Sequence, residues 1–151
     1  MDFYRDILLV IHIASVGAWL GANIMQAVVP GLLGPESSAA ASWFRATEKL
    51  SGRFYIPVGV TVLVTGILLV LNSPLYGFDA PFVSIGFVTV VIGAVLGSTV
   101  FGPKSVIAAE AIDVGDVTLA NKTRGVLGRF GALDTLILLF TIFAMVSKLG
   151  T

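Results

Sequence analysis

The sequence predicts an all-α membrane protein, a four-helix bundle of transmembrane segments, on three observations. Of its 151 residues 56% are apolar and only 12% are charged, and the mean hydropathy is +0.99, so lipid rather than water solvates most of the chain. The apolar residues gather into four runs long enough to cross a bilayer. Within each run they are continuous instead of alternating, which selects helices over the strands of a barrel.

The runs are 7–29, 54–71, 82–101 and 130–147. As helices they measure roughly 27 to 35 Å, matching a hydrocarbon core of about 30 Å. The first begins after the net acidic segment 1–6, which lacks the basic start of a signal peptide, so it reads as a retained span and not as a cleaved signal. Pro30 and Gly31 punctuate its end, Asn72-Ser73-Pro74 the end of the second, and Gly102-Pro103 the end of the third. Pro57 falls in the first turn of the second span, where its missing N–H costs nothing. The whole of 1–151 forms one unit without a fixed-period repeat.

Direction follows from the basic residues. Arg45, Lys49 and Arg53 lie in the connection between spans one and two, and Lys104, Lys122, Arg124 and Arg129 in that between three and four. The connection between spans two and three has none, so the positive-inside rule puts the two basic connections in the cytoplasm and both termini outside a cell inner (plasma) membrane, as a multi-pass protein. Both basic connections contain short segments of helical periodicity, 42–50 and 105–112, suited to lying at the membrane surface; Gly115 ends the second. Tyr4, Trp43, Tyr55 and Tyr76 fall near the interfaces, where amphipathic aromatics anchor.

Nine Lys and Arg offset nine Asp and Glu, which leaves no basic excess for nucleic acid. The absence of cysteine removes disulfides, thiolate metal sites and a cysteine nucleophile. No phosphate-binding glycine loop and no His-x-x-x-His pair is present.

The first span carries the chemistry. His12 is the single histidine and sits ~8 Å below the outer surface. At roughly 100° per residue His12, Ser15, Trp19, Asn23 and Gln26 share one polar stripe, which must face protein. Ala14, Gly17, Ala18 and Gly21 form the opposite, small-residue face, suited to close packing of another helix. The stripe supports two readings: hydrogen bonding between helices, or a functional imidazole at His12, as a haem ligand or a proton acceptor. Asp134, one turn into the fourth span, requires a partner. Lys104 and Arg53 stand at the same cytoplasmic level and would form an ion pair with it; alternatively a protonated Asp134 donates to Gln26 or Asn23. Thr61 and Thr65 on the second span, and Gly86, Gly93 and Gly97 on the third, read as packing positions.

Several short motifs resemble those of the small four-helix bacterial membrane proteins of the CopD-like and HemJ-like group. They are Leu9-Val10-Ile11-His12-Ile13, Gly17-Ala18-Trp19-Leu20-Gly21, the stretch from Arg53 to Pro57 with Thr65-Gly66-Ile67, Gly102-Pro103-Lys104, and Met145-Val146-Ser147-Lys148. The resemblance implies haem b as a cofactor, held by His12 with Trp19 and Ser15 beside it. Since the chain has no second histidine, the resemblance implies group membership and not an activity, and paired histidines would require a homo-oligomer. Three functions stay open: a haem-associated redox or electron-transfer protein, an accessory or assembly subunit of a membrane complex, and a small proton-coupled transporter using Asp134.

Overall fold

Four long helices carry the chain through residues 3–150, the part that the computed structural model describes. The first, α1 (Phe3–Leu32), has Asp6 in its opening turn, where a carboxylate complements the positive end of the helix dipole. The second runs as α2 (Ser38–Leu50) and α3 (Ile56–Leu71), joined without a break by a π-turn at Ser51–Tyr55. Ser37 starts it by accepting from the Ala40 N–H at 3.1 Å, as an N-cap serine does. The third repeats the design with α4 (Pro81–Leu96), a π-turn at Gly97–Phe101 and α5 (Gly102–Asp113). Gly115, at φ 73°, closes α5, and Asp116 accepts from the Leu119 N–H at 2.9 Å to open α6 (Val117–Ser147).

All four helices are long and apolar enough to span a membrane, with lengths of 30, 34, 33 and 31 residues. At about 1.5 Å per residue they outrun a ~30 Å hydrocarbon core by several turns. The excess lies at the end with the basic residues. The helical segments read at 42–50 and 105–112 are therefore real, but they continue the second and third helices instead of lying flat. Their apolar sides pack on each other, with Phe44, Ala108 and Ala109 buried between them, and Arg45 forms a salt bridge with Asp113 across the same pair. Likewise α6 starts thirteen positions ahead of the expected span (130 against 117).

The Gly102-Pro103 break does not exist, and the reason is local. A proline lacks an N–H and crowds the carbonyl four residues back. Just ahead of Pro57 and of Pro103 the chain widens by one residue per turn, with Ile56 N–H donating to Ser51 O and Gly102 N–H to Gly97 O. Each π-turn absorbs the defect, and the helix continues.

The helices neighbour one another in a ring: α1 with α3, α3 with α4, α4 and α5 with α6, and α6 with α1. The even number of crossings puts both termini at one end. There Ala80, Phe82, Val83 and Ala144 make an apolar cluster, and Lys148 Nζ lies 5.1 Å from the centre of the Tyr76 ring. Ala14, Gly17, Ala18 and Gly21 do not receive a neighbouring helix; all four are exposed, because α1 turns only its polar stripe toward the ring and the small-residue face points outward.

Candidate functional site: a cavity beneath a polar layer

Three residues of the α1 stripe, and the Trp19 ring with them, reach across to other helices. His12 Nδ1 lies 2.9 Å from Thr65 Oγ1, and the Thr65 hydroxyl donates to the Thr61 carbonyl at 2.6 Å. With that proton spent, the hydroxyl oxygen accepts from the imidazole, which fixes the tautomer carrying its proton on Nδ1. Gly66 makes room for the ring: a Cβ there would stand 3.4 Å from His12 Cε1. Asn23 Nδ2 donates to Asp134 Oδ2 at 2.7 Å, and Tyr55 OH donates to Asn23 Oδ1 at 3.3 Å. Thr47 Oγ1 donates to Gln26 Oε1 at 3.0 Å. Ser15 is half-buried and makes no interhelical bond among the described residues.

Trp19 is the centre of this layer. It is 6% exposed, and its ring lies against Gly93 of α4, in contact with the space that a Cβ would take. It is also a side-chain partner of the Asp134 carboxylate. The glycine at 93 thus serves a side chain from the helix diagonally opposite, not a backbone.

Asp134 is 4% exposed; its hydrogen-bond donor is Asn23, and the Trp19 indole stands beside it. Neither Lys104 nor Arg53 pairs with it, contrary to the ion-pair expectation; Asn23 is its partner, but as donor to the carboxylate and not as acceptor from a protonated one. The π-turn explains the difference. Its extra residue shifts the phase of the second helix, so Arg53 faces outward and is exposed while Tyr55 turns in to Asn23. For the same reason Tyr55 is not an interfacial anchor.

Below this layer, toward the basic end, the ring encloses a cavity of about 730 Å³. Trp19, Asn23 and Asp134 form its inner end; Tyr55 and Phe101, one from each π-turn, stand in its walls; Ser105 and Arg124 lie toward the basic end. Gly31, Gly59, Gly128 and Gly131 also line it, and a Cβ on any of these four would meet nothing within 4 Å. They leave space where packing glycines would close it. The volume falls in the range of small-molecule sites, mostly apolar with a few polar groups. His12 borders neither this cavity nor a shallower groove of about 490 Å³ between α4 and α6.

Three features escaped the sequence reading: the cavity, the π-turns and Ser105. A signal for the π-turns is present, since Ser51-Gly52-Arg53-Phe54-Tyr55-Ile56-Pro57 and Gly97-Ser98-Thr99-Val100-Phe101-Gly102-Pro103 share two small residues, an aromatic at the fifth position and proline at the seventh.

No protein-family profile, no curated protein and no solved structure matches this chain.

Proposed function

We propose that this polytopic membrane protein binds a small, largely apolar molecule in the cavity of its basic half, and serves as a carrier or presenter of that molecule at the cytoplasmic side of a plasma membrane. The observation that carries this reading is the glycine-lined cavity of about 730 Å³ that ends on the Asp134, Asn23 and Trp19 layer. Interiors normally pack to crystal density, and a void of this size without an occupant forfeits many contacts. Polar groups at its inner end would orient a ligand, and the apolar walls would hold it by area. Ala27 and Gly31 on α1 and Gly128 and Ala132 on α6 are exposed as well as cavity-lining, so the α1–α6 seam is the thinnest wall and the natural entry from lipid.

Gly128→Leu tests it. The new side chain has room and exchanges glycine for a better helix former, worth about 1 kcal/mol. Resistance to unfolding should hold or rise while saturable uptake of an apolar fluorophore by the purified protein falls at least tenfold. Unchanged uptake would leave the cavity without a role.

A haem role for His12 has one supporting observation. Its Nδ1 is held by Thr65, and metal-bound histidines are commonly oriented by such a bond on the nitrogen away from the metal. His12 lines neither of the two cavities described above, and the chain has no second histidine, so paired-histidine ligation would require a second copy. Such a haem would supply one-electron chemistry. A Soret band in the purified protein that disappears in His12→Ala is the expected result for it.

A further inference from the structure

The cavity has a charge that its own walls do not balance. Asp134 accepts from the Asn23 amide, with the Trp19 indole beside it, and the ionisable neighbour that borders the cavity with it is the Tyr55 phenol. Among the described residues the one cation on the cavity wall is Arg124, ten positions and ~15 Å further along α6. Its guanidinium is engaged elsewhere, donating from Nη2 to the Pro30 carbonyl at 2.9 Å and from Nη1 to the Pro35 carbonyl at 3.1 Å. A carboxylate stripped of countercharge inside a bilayer is costly, and this one stands beside open space.

A second observation points to a ligand in the same space. Ser105 is 0% exposed and borders the cavity, yet its hydroxyl has no hydrogen-bond partner among the described residues. The helical hydroxyls of Thr61, Thr89, Thr135 and Thr141 all return to the carbonyl four residues back. At Ser105 that carbonyl belongs to Phe101, the last residue of the π-turn, where the spacing is altered. Buried hydroxyls are rarely left unpaired. From Gly93, beside Trp19, to Ser105 the wall extends twelve positions, or ~18 Å.

Resting on the cavity-binding reading above, we propose that the ligand is an organic cation: an amine on an elongated apolar body, its charged nitrogen at Asp134 and a hydrogen-bonding group toward Ser105. The ammonium replaces the missing countercharge at Asp134, with the Tyr55 hydroxyl and the Gln26 amide close by. Anionic ligands are excluded from the inner end by the same carboxylate.

Three naphthalene probes of equal apolar bulk test this: 1-naphthylmethylamine, 1-naphthylmethanol and 1-naphthylacetate. Each is titrated calorimetrically into the protein in phosphatidylcholine nanodiscs, with protein-free nanodiscs subtracted. The expected result is binding of the amine at least tenfold tighter than the alcohol and no detectable binding of the acid, with the preference for the amine lost in Asp134→Asn. The comparison on the unaltered protein stands by itself if the variant does not fold. Equal affinity for amine and alcohol would overturn the cation assignment and leave the cavity reading intact. Preference for the amine that persists in a folded Asp134→Asn would overturn the role of Asp134. No saturable binding of any probe would overturn both readings together.

Discussion

At the scale of single residues, two glycines on one helix differ in what faces them. A Cβ on Gly93 would run into the Trp19 ring, and one on Gly86 into the terminal methyl of Met145. An indole wedged between helices has nowhere to go, whereas a thioether end swings aside. Gly93→Ala should therefore lose stability, because overpacking costs about 1–3 kcal/mol against about 1 kcal/mol gained in helix propensity. Gly86→Ala should be neutral or slightly stabilising. Denaturant unfolding of both variants in detergent checks the contrast, and equal behaviour would mean that Trp19 is not fixed at the centre. Ser105 allows a cleaner test. With its hydroxyl buried and unpaired, Ser105→Ala should stabilise the ligand-free protein by about 1 kcal/mol, since it removes an uncompensated polar group, and should weaken binding of any ligand that uses it.

Helix ends and helix interiors raise a different question, namely how proline and basic residues are accommodated. The final turn of α1 contains no basic residue, yet its end is not bare. Arg124 of α6 donates to the carbonyls of Pro30 and Pro35 and stands 6.0 Å from the centre of the Phe44 ring. It caps α1 from a distance and is favourably placed against the negative end of its dipole. Arg124→Met keeps the stem and removes the donors. Backbone amides over 27–32 should then exchange with deuterium markedly faster than in the unaltered protein, while those of α3 remain protected; unchanged exchange at 27–32 would mean that the cap contributes nothing. The π-turns belong to this scale as well. They carry the second and third helices past Pro57 and Pro103, and they turn Tyr55 and Phe101 into the cavity. A single local device thus keeps the helix whole and shapes the site.

For the molecule as a whole, the bundle has two apolar ends and a polar middle. Phe82, Val83 and Ala144 close one end, Phe44, Ala108 and Ala109 the other. Between them lie the bonds from His12, Asn23, Gln26 and Asp134, each worth about 0.6 kcal/mol in a membrane. Their value is in fixing which helix faces meet. The positive-inside rule predicts that this assembly inserts with its long end inward. Single cysteines placed at Ser73 and at Lys122 should be labelled by an impermeant maleimide from opposite sides, Ser73 from outside. The reverse pattern would invert the topology and move the cavity to the outer half.

The sequence by itself determined the class, the four crossings, the shared side of both termini and the residues of α1 that face protein. Those properties come from composition and from one helix's own periodicity, which the solvent enforces residue by residue. Gly115 marks the end of α5 for the same local reason. Only the tertiary structure decided the partner of Asp134, the outward direction of the Gly17 and Gly21 face, and the cavity. Partners depend on the relative rotation of two helices, and here the π-turn at Ser51–Tyr55 adds one residue that shifts the phase, so regular helical extrapolation misdirects Arg53 and Tyr55. A void is harder still to foresee, because glycines that let backbones approach and glycines that hold space open are written identically, and they are distinguished only by what stands opposite.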